Sequence, residues 1–241
     1  MGEEMERKKS ILITGASSGI GAATAKYLNS LGYRVFLVAR CQEKLEMIAK
    51  DLSEDTVCIP YDLQDLSHIE QIFGYCKELG IKLYGMVHCA GINRDQPVKT
   101  NNLADMIQVM NLNLLSFIEL AKYFCRKKYS EESGAIVAMS SMAAFECAKG
   151  MCTYSASKAG VDSAARVMSR EFARRKIRVN TIQPSMVDTS MARSAPEFES
   201  KFAAQPLGVI EPLQVAYLIA FLLSDQAKYI SGSNIKISSA V

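Results

Sequence analysis

Two short clusters in the sequence carry residue types that can do chemistry. Tyr154 and Lys158 stand four apart in Tyr154-Ser155-Ala156-Ser157-Lys158, and on a helix that spacing puts both side chains on one face. An isolated tyrosine hydroxyl, with a pKa of about 10, exchanges its proton poorly at neutral pH, but an adjacent ammonium favours the phenolate and lowers that value. The pair is a candidate tunable acid, although a solvated helix face would use the same spacing. The second cluster, Thr14-Gly15-Ala16-Ser17-Ser18-Gly19-Ile20-Gly21, has the form Gly-x-x-x-Gly-x-Gly. Glycines in such a turn let the backbone approach a pyrophosphate, and a helix starting there offers it free N–H groups and a positive dipole end. Simple packing of a helix on a strand would also place glycines there, so the surrounding elements must decide.

Those elements alternate. Short β-branched or apolar runs at 11–14, 34–39, 56–60, 84–88, 135–140, 177–183 and 234–237 predict seven strands. Between them lie helical periods. The first puts Ile20, Ala23, Tyr27, Leu28 and Leu31 on one predicted face, a second runs through Leu103, Met106, Ile107, Met110, Leu114, Phe117 and Ala121, and a third carries Val161, Ala165, Met168 and Phe172. Several strands are apolar on both faces, so the expected fold is α/β, a doubly wound three-layer sandwich around a seven-stranded parallel sheet. Residues 1–9 read as a flexible tail and 10–241 as one domain, since no linker or repeat divides the chain. The glycine turn then falls at the first strand-to-helix junction, where a dinucleotide site belongs. Residues 188–207, with Pro196 and Pro206 and a weak apolar period, are expected to form a flap over the site.

Composition removes other classes. The chain has 241 residues, 28 Lys and Arg against 25 Asp and Glu, and a formal charge of +3. No basic block interleaved with aromatics is present, which argues against nucleic acid as a partner. The longest wholly apolar run, 215–223, is far shorter than the roughly 20 residues of a membrane-spanning helix. The first ten residues carry charges of both signs and no apolar stretch, unlike an export signal. The seven cysteines form no Cys-x-x-Cys pair and are expected to stay reduced, so a cytoplasmic setting and no metal are expected.

Taken together, the glycine turn and the Tyr/Lys pair resemble the short-chain dehydrogenase/reductase family in its single-domain, Rossmann-type form. Asp62, Ala90-Gly91, Asn113, Ser140-Ser141 and Pro184 with Thr189 follow in the family's order. The resemblance implies that Ser141 orients a substrate carbonyl and that Tyr154 protonates its oxygen as hydride arrives, in reverse for oxidation. It implies that Lys158 binds the nicotinamide ribose and that Asn113 holds a water linking Lys158 to solvent. Gly15, Ser17, Ser18, Gly19, Ile20 and Gly21 would cradle the pyrophosphate. Asp62 and Leu63 would meet the adenine, Asp62 also reading as a helix N-cap. Ala90, Gly91, Pro184, Val187 and Thr189 would line the rest of the cofactor path.

NAD-preferring members place an Asp at the end of the second strand, against a 2′-phosphate. Here Ala39 and Arg40 stand there, and a guanidinium suits a phosphate, so the expected cofactor is NADP(H). The expected activity is reduction of a ketone to a secondary alcohol or the reverse. A non-catalytic NADP-binding or redox-sensing protein is the alternative. Pro206-Leu207-Gly208 and Phe221-Leu222-Leu223-Ser224-Asp225 resemble the 3-oxoacyl-acyl-carrier-protein reductase branch. Of the two basic residues that branch uses for carrier docking, Arg175 matches one while Glu132 replaces the other. The family also implies a homodimer or homotetramer packed through the second and third helical runs. Three positions depart from the family: His88-Cys89 replaces Asn-Asn, Ser185 replaces a Gly, and Ser238-Ser239-Ala240 replaces Asp-Gly-Gly. His88 is expected to be a satisfied core histidine and Cys89 a buried apolar thiol.

Overall fold

Seven parallel strands form one sheet in the order β3-β2-β1-β4-β5-β6-β7 in the computed structural model, which describes residues 8–194 and 198–241. The strands are β1 (Ser10–Thr14), β2 (Arg34–Ala39), β3 (Val57–Pro60), β4 (Leu83–His88), β5 (Ser130–Met139), β6 (Arg178–Pro184) and β7 (Asn234–Ile237). Side chains alternate across the sheet. Leu12, Phe36 and Val38 point to one face, where they meet Phe73, Phe117, Leu120, Phe124, Val161 and Ala165. Ile11, Ile13, Val35 and Leu37 point to the other, against Ala25, Leu28, Leu45, Val215 and Ile219. The first face is covered by α3 (Glu70–Glu78), α5 (Ser116–Phe124) and α7 (Cys152–Glu171), the second by α1 (Gly19–Ser30), α2 (Gln42–Ala49) and α10 (Pro212–Leu223). This is the expected doubly wound, Rossmann-type sandwich.

Two helical faces differ from the sequence expectation. In α1 the buried residues are Gly21, Ala22, Thr24, Ala25 and Leu28, while Ile20 and Tyr27 sit at the flank and Leu31 is exposed. At its start the helix lies so close to the glycine turn that a Cβ on Gly21 would meet Gly15 O. In the second run, α4 (Leu103–Met110) passes through a π-helical turn, Asn111–Leu115, into α5. Its buried residues are Val109, Asn113, Ser116, Phe117, Leu120, Ala121 and Phe124. Leu103 and Ile107 are instead 70% and 49% exposed. The extra residue of a π turn rotates the helix beyond it, so the apolar stripe of α4 and the buried face of α5 are not one stripe. By length and composition alone the run Leu103–Phe124 could cross a bilayer, yet Phe117, Leu120 and Phe124 are spent in the core.

Residues 1–7 of the expected tail lie outside the described residues. Lys8 and Lys9 are tied down, by ion pairs to Asp55 and Asp225 at 3.2 Å each. Of the expected flap, 195–197 also lie outside the described residues. The rest includes the short helices α8 (Ser190–Arg193) and α9 (Phe198–Ala203), with α6 (Ala143–Glu146) on the opposite rim of the same cleft.

Candidate active site

The strand order reverses between β1 and β4, which lie side by side while their connections leave in opposite directions. Such a switch point opens a crevice at the carboxyl ends of the strands, and a cleft of about 730 Å³ occupies it. Gly15 turns the chain out of β1 with a φ of 67°, and a Cβ there would lie 2.8 Å from Ala90 N. A Cβ on Gly21 would lie 2.2 Å from Gly15 O, so only glycine lets α1 start against the turn. Ser18, the N-cap of α1, makes no side-chain capping bond. The first N–H groups of the helix are thus left for an anion, which fits a pyrophosphate.

Gly15, Ser17, Ser18, Gly19, Ile20 and Gly21 line one end of this cleft with Arg40, Asp62 and Leu63. Asp62 accepts a hydrogen bond from Gln64 N at 3.0 Å. The next 3-10 turn along the chain is capped by Asp65, so the N-cap alternative for Asp62 does not apply to that turn. Further along lie Ala90, Gly91, Pro184, Val187 and Thr189. The Thr189 hydroxyl caps α8 by accepting from Ala192 N at 3.2 Å, and its Cγ2 faces Gly19.

At the far end Ser141, Tyr154 and Lys158 converge. Ser141 follows β5, with its Oγ accepting from Ala143 N at 3.1 Å; Tyr154 and Lys158 come from α7. Burial pushes the Tyr154 phenol up, a hydrogen bond with Ser141 opposes this, and the Asp95 carboxylate adds to the rise. The expected lowering by Lys158 is therefore not what this geometry gives. Lys158 Nζ lies 5.6 Å from the phenol ring centroid and donates instead to Met139 O at 2.8 Å. Burial outweighs its attractive partners and brings its ammonium down to about 8. The Ser140 hydroxyl donates to the backbone carbonyl of Lys158 at 3.2 Å.

Asn113 does not line the cleft but stands behind it, fully buried in the π turn. Its Oδ1 accepts from Ile92 N at 2.8 Å, and its Nδ2 donates to Ile92 O at 2.9 Å and Ser157 Oγ at 3.0 Å. Both amide hydrogens are thereby committed. A relay water would have to use the second lone pair of Oδ1 or the backbone of the π turn. Burial raises the Cys89 thiol to about 12, as expected of an inert thiol. His88 Nδ1 pairs with Thr14 Oγ1 at 3.0 Å, and the Asn113 backbone interacts with the ring and opposes its downward shift, although Nε2 has no partner within strict hydrogen-bond geometry among the described residues. Burial and the nearby Lys158 hold the ring neutral, with its pKa at about 3.

Sequence reasoning missed Lys44, Asn93, Asp95 and Lys201 as cleft residues. Lys44 was open to discovery, because it lies one helical turn after Arg40. The others sit on segments without a strong period. No group of His, Cys, Asp and Glu side chains suited to a metal ion occurs among the described residues.

A family model described as short chain dehydrogenase matches residues 9–200. The chain belongs to the short-chain dehydrogenase family. It is accordingly an oxidoreductase. Among curated members of the short-chain dehydrogenases, carbonyl reductase family member 4 of Danio rerio is 33% identical over 92% of both chains. The 3-oxoacyl-[acyl-carrier-protein] reductase FabG of Rickettsia conorii is 32% identical over 95% of both. A crystal structure of a short-chain dehydrogenase/reductase from Brucella melitensis, 28% identical, superposes with a TM-score of 0.90 over 96% of this chain and 95% of that one.

Proposed function

We propose that this protein is an NADP(H)-dependent carbonyl reductase, or the corresponding alcohol dehydrogenase, with Tyr154 as the general acid and base. The observation that carries the reading is the meeting of Tyr154, Ser141 and Lys158 in the same cleft as the glycine turn and Arg40. A bound nicotinamide would supply or accept the hydride. The protein's part is to hold the substrate oxygen between the Ser141 and Tyr154 hydroxyls and to move one proton at Tyr154 Oη. A phenol raised by burial stays protonated at neutral pH and is ready to donate. Lys158, with a value of about 8, is poised to hand a proton onward once the phenol has given its own.

Arg40 lines the opposite end of the cleft, and no carboxylate stands at position 39. An arginine fork there suits a 2′-phosphate. The substrate is read as a small ketone or alcohol rather than a carrier-bound thioester. Arg175, the candidate docking residue, is committed to the carbonyls of Cys125, Ser130 and Glu131 and to Ser130 Oγ. A homodimer or homotetramer in the cytoplasm completes the reading, with the apolar outer face of α4 as the subunit contact.

The test is consumption of NADPH by the purified protein with a panel of ketones. Tyr154→Phe is expected to lower kcat by about 10²- to 10⁴-fold while NADPH binding, followed by fluorescence, changes less than about twofold. Full activity in that variant removes the proton role, and inertness toward every ketone and alcohol favours the non-catalytic alternative.

A further inference from the structure

Lys158 shares its helix with another buried ionisable side chain. Asp162 stands one turn further along α7, and both residues are 4% exposed. The spacing of four places them on one helix face. Each oxygen of Asp162 is held from β6: Thr181 Oγ1 donates to Oδ1 at 2.6 Å and Gln183 Nε2 donates to Oδ2 at 2.7 Å. Both donors are themselves buried. No lysine or arginine touches Asp162 among the described residues.

Burying a carboxylate without a contacting cation is costly, and an apolar residue or a neutral amide at that place would be cheaper. The charge therefore needs a use. We propose that Asp162 is a positioning residue, the fixed countercharge that keeps the Lys158 ammonium protonated in the wall of the cleft while touching none of the reacting atoms. The inference rests on the reading of Tyr154 and Lys158 as the proton-transfer pair.

The surroundings of Lys158 support it. From the end of β4 come His88 and Cys89, from α7 come Tyr154 and Asp162, and β5 contributes the Met139 carbonyl. His88 is neutral above about 3 and the Cys89 thiol below about 12. Burial likewise keeps the phenol protonated at neutral pH. Asp162 is then the one formal negative charge in this group that opposes the burial of Lys158. Asp95, on the segment after β4, acts on Tyr154.

The experiment compares the full-length protein with Asp162→Asn and Asp162→Glu. Two readouts are taken across pH: the rate of acetic anhydride labelling at Lys158, followed by mass spectrometry, and kcat/KM for NADPH-dependent ketone reduction. Asp162→Asn is expected to lower the midpoint of Lys158 labelling by about one pH unit and to move the alkaline limb of the rate profile the same way. Asp162→Glu is expected to restore both. A folded Asp162→Asn protein with an unmoved labelling midpoint overturns the proposal. A moved midpoint in a protein that reduces no ketone upholds the countercharge and removes the catalytic reading. If Asp162→Asn does not fold, Asp162→Ser, which also removes the charge but leaves a small polar group facing Thr181 and Gln183, carries the same expected shift, and an unmoved midpoint there is equally fatal.

Discussion

Asn113 brackets Ile92: its carboxamide accepts from the Ile92 N–H at 2.8 Å and donates to the Ile92 carbonyl at 2.9 Å, as a neighbouring strand would. A third bond, to Ser157 Oγ at 3.0 Å, pins the same amide to α7. The loop after β4, which forms one wall of the cleft, is thereby locked to the helix that carries Tyr154 and Lys158. Asn113→Leu leaves two backbone groups of Ile92 unpaired in a partly buried place, at a cost of about 1–3 kcal/mol. The expected result is a lower Tm together with NADPH binding weakened at least about tenfold, checked by calorimetry and fluorescence titration.

Arg40 is the residue on which cofactor choice should turn. A charge-assisted bond to phosphate is worth about 1.5–3 kcal/mol. Arg40→Ala is therefore expected to reduce the ratio of catalytic efficiencies for NADPH over NADH by about 10- to 100-fold, read by steady-state kinetics with both cofactors. A preference for NADH in the unaltered protein would refute the assignment outright.

His88 predicts a specific acid sensitivity. Its folded pKa of about 3 lies below the ordinary 6.5, so between these values the unfolded chain binds a proton that the folded chain refuses. Stability is then full above about pH 6.5 and falls as pH drops toward about 3. Between 6.5 and about pH 5 the loss is about 2 kcal/mol. His88→Asn should flatten this part of the curve, measured by urea unfolding at stepped pH.

The outward apolar stripe of α4 should join subunits. Leu103 and Ile107 are exposed, while α4 also rests on α7 and α5 buries Phe117, Leu120 and Phe124 against the sheet. Ile107→Glu is expected to reduce the assembly to a smaller species by light scattering, with the fold retained by circular dichroism. An unaltered mass, or a monomeric parent protein, argues against this face as the contact.

The strands and the glycine turn were legible because burial on both faces writes long apolar runs and because close backbone approach excludes every residue but glycine. The first half of β5, Ser130 to Gly134, was not legible: it is polar and carries Ser133 at a φ of 63°. The α4 stripe misled because apolar residues can await a partner chain as well as a core. The site was named residue by residue from the resemblance, and the same cleft receives nearly all of those positions. What the sequence hid was electrostatic. The direction of the Tyr154 shift and the bonds of Asp162 to Thr181 and Gln183 depend on burial and on contacts between elements, which no local pattern encodes.

Because β1 pairs with β4, the chain cannot assemble its central crevice in the order in which it is made. The ribosome delivers the glycine turn first, and about 70 further residues must emerge before the opposite wall exists. At about 5–20 residues per second that interval lasts several seconds. Throughout it one edge of β1 lacks its neighbour and invites mispairing. A nascent fragment ending before Leu83 should therefore seek a chaperone rather than a dinucleotide.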